Sequence, residues 1–198
     1  MDERQEYIDK YKQLAVDTTS KTGLFPSVML SQGIVESRNG KSELSQKYHN
    51  HFGIKADKSW TGKKVNLATR EVLSGQSQVI GDYFRVYKND KEGFRDRVKF
   101  LLENTRYQKA GVFSAKTPLE QIERLKSAGY ATDPQYVEIV DSVLRKENLG
   151  VVDFIKAHPV VTALGFLTFG LAVTTTIYWY VNRKKIDLGA AVQSLALA

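Results

Sequence analysis

Tyr7, Tyr11, Leu14 and Ala15, with Thr18 in step, recur at spacings of three and four and predict an amphipathic first helix that ends near Gly23. Pro26 suits the first turn of a second helix. Its apolar residues Val28, Met29, Leu30, Ile34 and Val35 wrap widely around the axis, so this segment is expected to be central, and Glu36 ends a buried helix. From Val65 to Tyr87 the period changes to two. Val65, Leu67 and Thr69 alternate, Gly75 punctuates, and Tyr83 to Tyr87 reads as a half-buried strand, which together predict a small β-hairpin lobe.

Helical spacing then returns. Asp90 is placed to cap a helix carrying Phe94, Val98, Leu101 and Leu102 on one face. Thr117-Pro118-Leu119-Glu120 is a capping box with proline at the first helical position, opening a helix through Ile122 and Leu125 to Gly129. Asp133-Pro134 starts another, with Tyr136, Val137, Val140, Val143 and Leu144 apolar. Helices, hairpin, helices is the order of a mostly helical α+β domain over residues 1–150, with a cleft available between its lobes.

Beyond a short linker at 151–158, residues 159–182 form an uncharged run of about 24 residues, long enough to cross a bilayer core of about 30 Å as one transmembrane helix. Tyr178, Trp179 and Tyr180 fall where an interfacial aromatic belt would lie, and Arg183, Lys184 and Lys185 follow at once. The excess of positive charge on that flank predicts a cytoplasmic C-terminus, including the basic then apolar tail 183–198, and an N-terminal domain on the wall-facing side. The opening Met-Asp-Glu-Arg-Gln-Glu is acidic and polar where a secretory leader would be basic and then apolar, so membrane insertion falls to the C-terminal helix. Both a cellular membrane and a virion membrane fit such a tether.

The 198 residues contain no cysteine, which removes disulfides, Cys-ligated zinc, iron–sulfur clusters and thiol nucleophiles together. A formal charge of +7 points to an anionic partner: nucleic acid, a lipid surface or a bacterial wall polymer. Lys55, Lys58, Lys63 and Lys64 cluster near the hairpin, and with a membrane helix present the wall polymer is a more economical partner for them than nucleic acid. His49 and His51 flank Asn50 without a nearby third ligand, which makes a poor metal site.

Glu36 stands where an apolar helix opens into the polar turn Ser37-Arg38-Asn39-Gly40. Partial burial would raise its pKa and keep it protonated near neutrality, as a general acid for a glycosidic oxygen requires. Glycoside hydrolysis by paired acids needs a second carboxylate, and Glu71 in the hairpin lobe is the candidate.

These residues sit inside motifs that strongly resemble the glycoside hydrolase family 73 β-N-acetylglucosaminidases. The resemblance runs through Phe25-Pro26-Ser27 to Glu36-Ser37, Asn50-His51-Phe52-Gly53-Ile54-Lys55, Trp60-Thr61-Gly62-Lys63, Thr69-Arg70-Glu71-Val72, Phe84-Arg85-Val86-Tyr87 and Ala128-Gly129-Tyr130-Ala131-Thr132-Asp133-Pro134, in the family's order over residues 22–149. It implies a lysozyme-like fold and hydrolysis of the β-1,4 bond after N-acetylglucosamine in peptidoglycan, with no cofactor. By position it implies Glu36 as general acid, Glu71 as the second carboxylate and Tyr130 as an active-site tyrosine, with Asn50, Phe52 and Trp60 as substrate-binding candidates. Two departures stand out: His49-Asn50-His51 replaces a pair of asparagines and an apolar residue, and Arg38-Asn39 stand where relatives often carry glycine. A cation two residues from Glu36 would favour its ionised form and oppose the acid role.

The expected function is therefore a membrane-anchored peptidoglycan hydrolase whose partners are glycan strands and a lipid bilayer, with virion or envelope partners in a viral setting. A lytic transglycosylase, in which the substrate's own hydroxyl attacks, and a non-catalytic glycan-binding protein are the rivals.

Overall fold

The computed structural model describes residues 2–73 and 76–157, with the backbone alone over 69–73 and 76–80. The expected membrane helix at 159–182 and the tail at 183–198 lie outside the described residues. Among those described, no helix is long and apolar enough to cross a membrane. The chain divides into a unit Met1–Lys156 and a second unit Ala157–Ala198.

The elements run α1 (Glu3–Thr19), α2 (Pro26–Ser37), α3 (Glu43–Tyr48), β1 (Lys64–Leu73), β2 (Gln76–Arg85), α4 (Asp90–Glu103), α5 (Thr105–Lys109), a 3-10 turn (Val112–Ser114), α6 (Pro118–Ser127), α7 (Tyr136–Lys146) and α8 (Gly150–Ala157). Helix α2 is the centre: every residue from Pro26 to Ile34 is buried, and it packs against α1, α6 and α7. The close α1 contact depends on Gly33, where a Cβ would fall 2.3 Å from the Tyr7 hydroxyl. Around α2 the core gathers Leu24, Met29, Phe94, Leu101, Tyr107, Ile122 and Val140.

Both ends of α2 are finished by other parts of the chain. Its N-cap, Phe25, has no side chain to offer the free N–H groups of the first turn. Asp153 of α8 supplies the acceptors instead: the Ser27 amide donates to Oδ1 at 2.9 Å and the Ser27 hydroxyl to Oδ2 at 2.6 Å. Lys156 Nζ donates to the Leu24 carbonyl at 2.6 Å, and Val152 enters the core. Residues 151–158, expected as a linker, are therefore for the most part a helix belonging to the first unit, because a buried valine and a cap tie it down. At the other end Arg38, Asn39 and Gly40 take three successive left-handed conformations, φ 53°, 59° and 77°. The turn is tied by Ser37, whose Oγ accepts from the Gly40 amide at 2.7 Å and whose carbonyl accepts from the Ser42 amide at 2.8 Å.

The hairpin pairs antiparallel, with Lys64 opposite Arg85 and Glu71 opposite Gln78. Gly75, expected at its turn, is outside the described residues. The strand predicted to reach Tyr87 stops at Arg85, since Val86 and Tyr87 turn to bond Lys63 and Tyr48. The hairpin base is anchored by Arg85, which donates to Asp96 of α4 at 2.9 Å and to the Lys55 carbonyl at 3.2 Å.

Asp90, predicted to cap α4, is its first residue; Asn89 caps, accepting from the Glu92 amide at 3.0 Å. The Asp90 carboxylate is occupied elsewhere. It meets His49 Nδ1 at 2.7 Å and His51 Nε2 at 3.1 Å and accepts from the Tyr11 hydroxyl at 2.8 Å, joining α1, α4 and the turn after α3. Burial pushes this carboxyl up, but the hydrogen bonds from His51, His49 and Tyr11 outweigh burial and hold it well below the usual carboxylate range. A depressed carboxyl contributes stability above its unfolded pKa of about 4 and loses that contribution as pH falls below it. Acid titration followed by circular dichroism is expected to show the wild type losing stability below about pH 4 more steeply than Asp90→Asn, which starts less stable but has no such charge to lose.

Candidate active site

Glu36 occupies the last turn of α2, one helical turn beyond Gln32, so both side chains leave the same face of the helix. Its side chain is open to solvent at the surface, yet burial raises its carboxyl to about 7, against an opposing pull from Arg97. The two observations describe one environment: water reaches the carboxyl on one side while protein crowds it on the others. A carboxyl with that pKa is about half protonated at neutral pH, within the range of a general acid.

The cation acting on Glu36 is Arg97 of α4, not the sequence neighbour Arg38, which is exposed and caps α2 through its backbone. Arg97 is only 1% exposed. Its guanidinium lies over the Phe52 ring at 5.2 Å and donates from Nη2 to Gln32 Oε1. Among the described residues Nε and Nη1 have no hydrogen-bond partner in full bonding geometry, and no carboxylate forms an ion pair with Arg97. Gln32 in turn donates from Nε2 to the Tyr136 hydroxyl. The result is a buried chain, Arg97 to Gln32 to Tyr136, beneath the end of α2.

Tyr130 follows the left-handed Gly129 after α6 and is brought beside Glu36: its hydroxyl is pushed above its ordinary pKa by burial first, while Arg97 lowers it and the Glu36 charge raises it. Its ring lies 6.0 Å from Tyr136 and 6.3 Å from Tyr107. The Tyr130 hydroxyl is buried and, among the described residues, meets no hydrogen-bond partner in full bonding geometry; Arg97 lies close enough to lower it by its charge and by a weaker side-chain contact. The buried Tyr130 hydroxyl, the Arg97 guanidinium and the raised Glu36 carboxyl are thus near enough to act on one another.

The other expected site residues divide. Glu71 is placed in β1 opposite Gln78; its side chain is outside the described residues. Asn50 is buried and fully used in structure, donating to the Ile54 and Arg85 carbonyls at 2.9 and 3.0 Å and accepting from the Ile54 amide at 3.0 Å. Phe52 is 4% exposed, closed between Phe94 and Arg97, and offers no face to a sugar. The motif that carries both folds inward: Asn50 ties the turn at Ile54 to Arg85 at the hairpin base, and Phe52 packs on α4. Trp60 keeps partial exposure, with Arg85 over its ring at 4.5 Å and its indole N–H donating to the Lys63 carbonyl at 2.9 Å. His49 and His51 share Asp90, and among the described residues no group of three or more metal-ligating side chains forms.

A partly shielded acid at the end of a buried helix, beside tyrosines in a mostly helical domain with one two-stranded sheet, defines a lysozyme-like glycosidase architecture. The family model described as Glucosaminidase, mannosyl-glycoprotein endo-β-N-acetylglucosaminidase, matches residues 12–149, and the chain belongs to this family. Exo-glucosaminidase LytG of Bacillus subtilis is 32% identical over 156 residues, covering 77% of this chain and 55% of that protein. Peptidoglycan hydrolase FlgJ of Pseudomonas aeruginosa is 34% identical over 145 residues, covering 71% and 36%. The chain thus spans about half or less of the length of these curated relatives. Among solved structures, the catalytic domain of the autolysin Auto from Listeria monocytogenes superposes with a TM-score of 0.67 at 31% identity, over 77% of this chain and 89% of that one. A glycoside hydrolase domain of FlgJ from Salmonella typhimurium gives 0.59 at 30% identity, over 73% and 97%.

The two tyrosines offer a contrast in stability. Tyr130→Phe removes a buried hydroxyl that meets no partner in full bonding geometry and is expected to leave the unfolding free energy unchanged or slightly raised. Tyr136→Phe removes the acceptor of Gln32 and is expected to cost about 1 kcal/mol or more, both measured by denaturant titration.

Proposed function

We propose that this chain is a peptidoglycan hydrolase that cleaves the β-1,4 bond after N-acetylglucosamine. The supporting observation is the Glu36 carboxyl, raised to about 7 at the mouth of a buried helix. In this reaction Glu36 gives its proton to the glycosidic oxygen as the bond from C1 to that oxygen breaks, the bonding pair leaving with the oxygen. Water adds to C1. Glu71, on the hairpin lobe, either takes the proton of that water or faces the positive charge that builds at the ring, in which case the water's proton returns to the Glu36 carboxylate. Tyr130 orients the sugar or the water with its hydroxyl.

Membrane anchoring is part of the same proposal. Residues 159–182 span the bilayer, Arg183, Lys184 and Lys185 stay on the cytoplasmic side, and the enzyme domain faces the wall. A tether confines cutting to the wall next to the membrane, which suits remodelling in a cell or local wall penetration from a virion. The exposed cations Lys58, Lys63 and Lys64 add attraction for anionic wall polymer.

Mass spectrometry of wall digested by the full chain is expected to give new reducing N-acetylglucosamine ends. Anhydromuramic ends would instead establish the transglycosylase reaction, and no new ends would leave glycan binding alone. Because the acid must be protonated, kcat/KM is expected to fall as pH rises through about 7, and Glu36→Gln is expected to lose about 10²–10⁴ in rate. Tyr130→Phe lowers turnover while leaving the fold intact. The anchor is tested by fractionation: the full chain is expected to stay with membranes through alkaline carbonate washing, and a chain ending at Ala157 to be released.

A further inference from the structure

Arg97 has no place in the reaction as written, and nothing in its local packing accounts for a full positive charge at 1% exposure. A buried guanidinium is ordinarily paired with a carboxylate and bonded through most of its nitrogens. Here one neutral amide, Gln32, is the acceptor for Nη2, while among the described residues Nε and Nη1 meet no acceptor in full bonding geometry and the Tyr130 hydroxyl lies close by. A purely structural role is better served by an apolar side chain of similar length, since an unpaired buried charge is destabilising.

The surroundings indicate what the charge is for. Glu36 is faced by Arg97 from α4, by Tyr130 from the turn after α6 and by Tyr136 from α7; on its own helix the cation Arg38 turns to solvent. The tyrosines are neutral at working pH, burial holding both hydroxyls above their ordinary pKa. Among the described residues Arg97 is therefore the cation whose field falls on the Glu36 carboxyl. That field matters little while Glu36 carries its proton and most when the proton has gone.

We propose that Arg97 is a positioning residue for the acid step: a buried counter-charge, held in place by Gln32 and the Phe52 face, that stabilises the Glu36 carboxylate formed when the proton passes to the glycosidic oxygen. No bond to Arg97 forms or breaks, and its own proton stays where it is. The guanidinium acts through Glu36 and the surrounding tyrosines and not on the sugar. Burial and Arg97 then divide the work: burial keeps the acid protonated before the reaction, and the cation keeps the penalty of losing that proton from becoming prohibitive. This inference rests on the acid role given to Glu36 above.

The test uses the full chain in mild detergent, with glutamate labelled at the carboxyl carbon and arginine labelled with nitrogen-15. In the wild type, the Arg97 Nε resonance is expected to move with an inflection at the pH where Glu36 titrates, and that inflection is expected to vanish in Glu36→Gln. Arg97→Gln removes the charge and Arg97→Lys keeps it. Glu36 in Arg97→Gln is expected to titrate about one pH unit or more higher, the size of effect one nearby charge exerts, with the alkaline limb of kcat/KM moving by the same amount. Arg97→Lys is expected to hold both near their wild-type positions.

A merely structural arginine would lower stability and turnover in both variants without separating their titrations, and that result overturns the proposal. So does an Arg97 resonance indifferent to Glu36, which decides the matter even where Arg97→Gln does not fold. Failure of the functional reading looks different: wall glycan would remain uncut by the wild type, or would still be cut by Glu36→Gln, whatever the resonances do.

Discussion

Helix α2 is buried on every side until its last turn, and the rest of the domain is arranged to make that tolerable. No solvent reaches the free amides of its first turn, and the carbonyls of its last turn are closed by the chain itself, so both termini have protein partners. Asp153 and Gln121 serve one end, accepting from Ser27 and Phe25, and the left-handed turn held by Ser37 serves the other. The reward for chemistry is position. A helix that is buried until its last turn delivers Glu36 to the boundary between protein and water along a rigid axis, so the carboxyl is shielded by the fold itself rather than by a mobile loop.

Shielding alone would make a poor acid, because a carboxyl that holds its proton too firmly cannot give it away. The opposing influence comes from α4, which presents Arg97 to the same region while spending Asp96 on the hairpin base and Asp90 on the two histidines. One helix thus supplies a cation to the acid, a clamp to the hairpin and a hub to the turn after α3. Tyr87, which donates to Asp96 at 2.7 Å and lies near enough to Tyr130 for their charges to interact, links the clamp to the tyrosines. Arg97 and the base of the lobe that carries Glu71 thus share α4 as their support.

Much of this was legible in the pattern of residues. Pro26 followed by an apolar wrap marked the central helix, Thr117-Pro118 marked the start of α6, and period two marked the hairpin, because each signal is local and the structure adopts it locally. Glu36 was legible for the same reason. Arg97 was not, although a signal existed: it falls on the Phe94, Val98 and Leu101 face of α4, and a charge inside an apolar stripe asks for a reason. The inward orientation of Asn50 and Phe52 was not legible, because a family motif says which residues belong together but not which way they point; here the turn folds inward, and the aromatic ring goes to the core. The cap on α2 was illegible, since Ser27 and Asp153 are separated by 126 positions and only tertiary structure brings them into contact.

Helix α8 sets where the chain leaves the first unit. Whatever follows Ala157 is joined to the fold through a short helix whose Asp153 and Lys156 grip the start of α2. The exit of the chain from the first unit and Glu36 thus stand at opposite ends of α2, the first tied to that helix through Asp153 and Lys156.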